Sequence, residues 1–565
     1  MNRKTVGKEI DRLCAIRRSF GRVSAMQKQG LLDLIAGSTI KAAADVKRLH
    51  DCLCFIRAFP DSQDLHARAS TLLADFDAVV GELGKRQRAI LDDSGIAGTD
   101  LYYAFSYEVA SWMAYQFPGM ASVDWDELED TDRLDELMDQ LVESSEADYF
   151  DSGWVDAREW LRIATANHTA TRFDWLMTQM SERKRHARYL TSLYNSAEIP
   201  LKCDLLDKAI SKSANTLVVD DLYFRRDAMR GRVAFPKREI GRRLNSVKRL
   251  SAADGRKVIN VAMSSLAARH RETIHFNYAN PGDVYLANVG RGISIAVTGL
   301  AAEHRYPLEC TLGFLILSNG VPIGYGGTSV LFKQANTGIN IFDEYRGSEA
   351  AWLWVQVMRV FHTLCRCDRF IVNPYQFGGD NVEALQSGAF WFYYRLGYRP
   401  VDVAVRKLAR QEFDKIQKRK GYRSPITVLR RLAKCDMHLV LSGARQSELF
   451  DESWIESCSL LATREIAKTG ELSRKKALRA IAARLMQDLG LRSIKSWTRQ
   501  EQETFVHFCP LIAAAEPGHW TAREKKALIK LMRAKGGQSE INYARGLREH
   551  KRLFLELKKQ CRKIA

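Results

Sequence analysis

An arginine followed by small residues, Arg346-Gly347-Ser348-Glu349-Ala350-Ala351, stands where a strand-like stretch gives way to a helical pattern. The first turn of a helix has N–H groups without intrahelical acceptors and carries the positive end of the helix dipole. Small side chains there let a phosphate reach the backbone. Gly347 and Ser348 offer that access. Glu349 opposes it, because a carboxylate beside a pyrophosphate costs electrostatic energy unless it points outward. Its other reading is a first-turn glutamate that complements the dipole. Taken alone, the segment is equally well read as a simple strand-to-helix turn.

Other reactive side chains are less organised. His270 and His275 lie five residues apart, so they do not share a helix face as paired metal ligands would. Either is a general base toward an amine or, more commonly, a turn-capping group. The 11 cysteines include only the close pairs Cys52-x-Cys54 and Cys365-x-Cys367, with no Cys-x-x-Cys. They read as buried free thiols, and no metal site is expected.

The elements that position Arg346 begin with a hairpin. Gly313–Ile316 and Val321–Gly324 flank Asn319-Gly320, a strong two-residue turn signal between apolar runs. A third strand is expected over Thr337–Phe342, then a helix, then a strand at Arg369–Val372. A hairpin therefore feeds a β-α-β unit. Further strands are expected at Asp283–Leu286 and Gly292–Thr298, and Asn373–Asn381 reads as a loop that rims a pocket. Of the 36 glycines, 15 fall between Gly282 and Gly397, which concentrates tight turns in this region.

This region, about 273–402, resembles the GNAT superfamily of acyl-CoA-dependent N-acyltransferases. The family's Arg/Gln-x-x-Gly-x-Gly/Ala loop is similar to the segment starting at Arg346, with Ala351 as the last small residue and Glu349 in the place of the central glycine. The family's late helix, ending Tyr-x-x-x-Gly-Phe, is similar to Tyr393-Tyr394-Arg395-Leu396-Gly397-Tyr398. The resemblance implies an acyl-CoA co-substrate held by Phe342, Arg346, Gly347, Ser348, Ala350, Ala351 and Asn381. It implies Tyr393 as the acid that protonates the departing thiolate, with Tyr394 as understudy. Glu309, and Glu344 or Asp343 at the mouth of the loop, are the carboxylates near the expected reaction centre that would take the amine proton. Asn381 stands twelve residues before Tyr393 where the family has about two helical turns, so an insertion separates them or Asn381 has another role. That spacing and Glu349 leave acyl-carrier protein or aminoacyl-tRNA as alternative donors. An inactive scaffold that binds nucleic acid or protein is the rival from a different class.

The chain has 565 residues with a formal net charge of +19 and the composition of a globular protein. It holds no apolar run long enough to span a bilayer and no signal peptide, so a cytoplasmic protein is expected. Residues 1–402 carry 50 Lys and Arg against 50 Asp and Glu, whereas 403–565 carry 36 against 17. The basic tail suits nucleic acid or an acidic carrier protein, or is a set of solvated helix faces. The acceptor of acyl transfer is read only as a small-molecule or protein amine.

The expected architecture is a GNAT-like α/β domain (251–402) between a mainly helical N-terminal region (1–250) and a basic helical C-terminal region (403–565). Apolar periodicity gives several helices before Leu91 with a break at Pro60, an aromatic helix over Leu101–Phe117, and a helix with an acidic outer face within Asp124–Glu159. Arg183–Arg249 is basic, with 17 Lys and Arg against seven acids but few aromatics to stack bases. Trp497-Thr498-x-x-Glu501 and Trp520-Thr521-x-x-Glu524 read as two capping boxes. They faintly resemble Myb-like helix-turn-helix modules without the later tryptophans.

Overall fold

The computed structural model describes residues 3–151, 155–206, 208–347, 349–441, 443 and 448–564. The fold is mixed α/β, with a large mixed sheet and helices toward both ends of the chain. It forms two units. No helix among the described residues is long and apolar enough to cross a membrane.

The first unit comprises Met1–Ala228, Lys257–Asn277 and the turn Ser318–Pro322. Helices Arg22–Ala36, Ala43–Ala58 and Gln63–Ala74 form where the helical spacing predicts them and bury Leu32 and Ile35, Val46, Leu49 and Leu53, and Leu65 and Leu73, while Leu34 is left exposed. The break at Pro60 falls where expected, after Ala58 with Phe59 as the cap. Lys28 and Asp61 form an ion pair at 2.8 Å with both side chains fully buried, so removing either partner would strand a charge. The helix Thr131–Asp139 buries Leu134, Leu137 and Met138 and exposes Asp132, Glu136 and Asp139, while Asp135 is half-buried and accepts the Ala157 N–H at 2.8 Å.

Leu101–Phe117 is not one helix. Asp100–Tyr103 is a strand, β1, and the helix runs from Tyr107 to Gln116. Strands β2 (Ala121–Val123) and β3 (Leu201–Asp204) complete a sheet of order β1-β3-β2. Leu101 pairs with Cys203 and Tyr103 with Leu201. Tyrosines suit a strand as readily as a helix, and a ladder partner a hundred residues away decided the outcome.

The second unit comprises Met229–Arg256, Tyr278–Leu317 and Ile323–Ala565. Its sheet contains β4 (Ser246–Arg249), β5 (Ala279–Gly290), β6 (Ile293–Leu300), β7 (Cys310–Ser318), β8 (Val321–Leu331), β9 (Gln334–Thr337), β10 (Asn340–Ile341), β11 (Arg369–Val372), β12 (Arg399–Pro400) and β13 (Met437–Val440). The order is β12-β13-β11-β9-β8-β7-β6-β5-β4, with β10 beside β8. Asn319 and Gly320 both take positive φ, 48° and 79°, as the two-residue turn between β7 and β8 requires.

The crossover from β10 to β11 is the helix Ala350–Cys365, which follows the short helix α1 (Pro236–Ile240) in the chain and is termed α2. It is buried almost all round, and β11 pairs parallel with β9. Helices α3 (Val382–Ser387) and α4 (Ala389–Arg395) then lead to β12. The sheet does not stop at Asp402. Met437–Val440 pairs antiparallel with both β11 and β12, although only four residues in a helical context mark it. Both Trp-Thr-x-x-Glu segments open helices, Arg499–Ala513 and Ala522–Lys535, with complete capping boxes.

Candidate functional site

The expected third strand is interrupted. Thr337 pairs with Thr328 and Asn340 with Tyr325, so β9 and β10 hold one register on β8 with a gap at 338–339. The parallel pairing of β11 with β9 ends at Ile371 opposite Asn336. Beyond that point β10 stays with β8, while the chain after β11 turns into a 3-10 turn, Pro374–Phe377. The two parallel strands therefore separate, and the side chain of Gln376 fills the space directly over Gly338. Asn373–Asn381, read as a pocket rim, lies at this separation.

The loop after β10 has the shape its sequence requires. Phe342 is buried, stacks on Tyr325 at 5.5 Å and donates its N–H to the Ile323 carbonyl. Glu344 and Tyr345 are buried in a 3-10 turn, and Gly347 takes φ 78°. Such a left-handed residue favours glycine, which lacks the Cβ that crowds the carbonyl. Ser348 lies outside the described residues. Ala350 and Ala351 are half-buried in the first turn of α2.

Glu349 points inward instead of outward. It is 1% exposed, its carboxylate accepts the Arg230 N–H at 2.7 Å, and the Arg291 guanidinium stands 3.4 Å away. The charge opposing an anion at this turn is thus met by a cation and an N–H. Arg346 remains at the surface, paired with Asp343 and Glu383, each at 3.0 Å. The second pair ties the loop to α3. Asn381 caps that helix, accepting the Ala384 N–H at 3.0 Å.

Tyr393 lies on α4 with its ring 6.0 Å from Trp354 of α2, 6.2 Å from Phe377 and 5.7 Å from Tyr398. Helix α2, the 3-10 turn and the tyrosine helix thus converge on one aromatic cluster. Tyr393 is only 4% exposed, and burial drives its hydroxyl well above the ordinary phenol value. It stays protonated at any physiological pH. Tyr394 faces the other way, with the Arg399 guanidinium 4.1 Å over its ring and Phe413 5.0 Å from it.

Glu309 has different company. It accepts the Ser329 hydroxyl at 2.6 Å, and its backbone carbonyl accepts from Lys535. Glu452, which the sequence reading passed over, accepts from Asn336 on β9 at 2.8 Å, and burial pushes its carboxyl up. His275 hydrogen-bonds Thr273 at 2.6 Å and His270 meets Asp93 at 3.2 Å, both at the turn the sequence placed there.

No protein-family model, curated protein or solved structure matches the chain.

Proposed function

We propose that the chain is a GNAT-like N-acyltransferase that moves an acyl group from a thioester, acetyl-CoA or a longer acyl-CoA, to an amine. One observation carries this reading. A hairpin, a third strand, a crossover helix and a parallel strand follow one another in one sheet, with the small-residue helix start opening the crossover. The hairpin feeding a β-α-β unit is the order expected for the resembling segments.

In this reading the N–H groups opening α2 and the Arg346 guanidinium hold the donor's phosphates. Backbone N–H groups near Gly338 polarise the thioester carbonyl where β10 and β11 part, once Gln376 yields the space. The amine attacks the carbonyl carbon, a base takes the amine proton, and the C–S bond breaks. Tyr393, kept protonated by burial, returns a proton to the sulfur. Glu344, in the turn before Arg346, is the base candidate nearest the donor loop in the chain. Glu309, engaged by Ser329, is the alternative.

The scaffold reading is favoured by one observation, the enclosure of Tyr393 by Trp354, Phe377 and Tyr398. Calorimetric titration of acetyl-CoA and longer acyl-CoAs into the full chain separates the readings. Binding that Arg346→Ala weakens and Tyr393→Phe leaves intact supports the donor site. If the wild-type chain binds none of them, coenzyme A is excluded as donor and acyl-carrier protein or aminoacyl-tRNA becomes the next to test. Loss of turnover in Tyr393→Phe with donor affinity unchanged would identify the acid.

A further inference from the structure

We infer that a basic groove of the second unit, running from Arg230 past Phe235 to Arg406, binds single-stranded nucleic acid. Three adjoining clefts form it. One of about 650 Å³ lies between Arg232, Phe235, Arg242 and Trp352. The next, about 680 Å³, shares Phe235 and Arg238 with it and reaches Arg395. The third, about 480 Å³, shares Lys237 and Gly397 with the second and is bounded by Arg369, Arg399, Arg406 and His438. A track of this kind follows a phosphodiester backbone across several phosphates.

Four of the cations along it are uncompensated. The third cleft has no carboxylate among its described lining residues. In the first, Glu239 is engaged by Arg242 at 3.0 Å and Gln356 at 3.2 Å, and in the second Asp368 is engaged by Arg548 at 2.9 Å. Arg232, Lys237, Arg238 and Arg395 are exposed and have no ion partner among the described residues. Salt-dependent attraction for phosphates follows directly from such a surface.

The groove is also built. Gln356 and Arg359 are buried polar groups in the mainly apolar helix α2, and burying them costs free energy unless they bond. Both reach the basic segment. Gln356 donates to Glu239, and Arg359 donates to the Arg242 carbonyl at 3.0 Å and to that of Arg243. At the other end Arg369, 4% exposed, donates to His438, 9% exposed, at 3.2 Å.

The ring of Phe235 selects an unpaired strand. It is 70% exposed in the middle of the track, with Arg238 on the same two cleft walls. An aromatic face among guanidinium groups stacks a splayed base, which a duplex does not offer. The inference does not depend on acyl transfer.

The test is fluorescence anisotropy of the full chain with a labelled oligothymidylate of about 15 nucleotides. Four uncompensated cations predict about fiftyfold weaker binding on raising salt from about 50 to about 200 mM. Lys237→Glu with Arg238→Glu should weaken binding more than about tenfold, and Phe235→Ala about tenfold at unchanged salt slope. Lys526→Glu with Lys530→Glu, on the exposed face of the helix Ala522–Lys535, should leave it unchanged. The inference is overturned if the wild-type chain does not bind at low salt or if the Lys526 and Lys530 pair matters as much as the groove pair. Duplex binding as tight as the single strand, with Phe235→Ala silent, would overturn it equally. Circular dichroism of each variant checks that these surface changes leave the fold intact.

Discussion

The carboxylate of Glu349, at the start of α2, accepts the backbone N–H of Arg230 at 2.7 Å. One side chain thereby joins the candidate donor loop to the first residue of the basic groove. Replacing it with alanine removes both the acceptor of that N–H and the counter-charge of Arg291, at a cost of about 2–4 kcal/mol. Glu349→Gln keeps the acceptor and should cost about half as much. Urea unfolding followed by tryptophan fluorescence measures both. Two variants as stable as the wild type would show that the contact carries no stability.

Gly338 and Gly326 look alike in sequence but differ in what a methyl group would meet. A Cβ at 338 comes within 2.6 Å of the end of the Gln376 side chain, which can swing away. A Cβ at 326 meets the Gly338 carbonyl and the Phe314 ring, neither of which can. Gly338→Ala should therefore cost about 1 kcal/mol and Gly326→Ala about 3 or more. Adding Gln376→Ala should recover most of the first loss and none of the second. A cycle without coupling between 338 and 376 would count against Gln376 filling the strand separation.

Burial, with the Arg369 and Arg406 charges nearby, pushes His438 down to about 4 from 6.5. As pH falls the unfolded chain takes up this proton first. The stability tied to the neutral ring is complete above about 6.5 and lost progressively toward about 4. Over that window the loss is about 3 kcal/mol in order of magnitude. His438→Asn should flatten the slope of stability against pH between 7 and 4 relative to the wild type. Parallel slopes would mean that folding does not lower the ring's affinity for its proton.

The capping box of the helix Arg499–Ala513 is closed from both sides, with Thr498 accepting from the Glu501 N–H and Glu501 from the Thr498 N–H. Thr498→Ala should cost about 1 kcal/mol. Thr498→Ser should cost less, since it keeps the oxygen. Thermal unfolding of both variants checks the order, and a serine no better than alanine would contradict it.

Much of this protein was legible locally. The Asn319-Gly320 turn, the strand Arg369–Val372 and both capping boxes depend on short-range stereochemistry, and the structure has each where the sequence placed it. The basic character of residues 183–249 was equally plain, because charge is additive along a chain. Contacts over long separations were not legible. Asp100–Tyr103 became a strand because β3 lay ready to pair with it, and Met437–Val440 joined the sheet because β11 and β12 left a slot.

The tertiary structure alone decided that Glu349 turns inward, that Asn381 caps a helix, and that Tyr393 sits among rings from α2 and the 3-10 turn. It also brought Phe235 and Lys237 beside Arg395 and His438, residues more than 150 positions apart. A side chain's type limits the chemistry it can do. Its direction and neighbours are set by packing between elements, where burial and pairing energies from distant segments exceed any local preference.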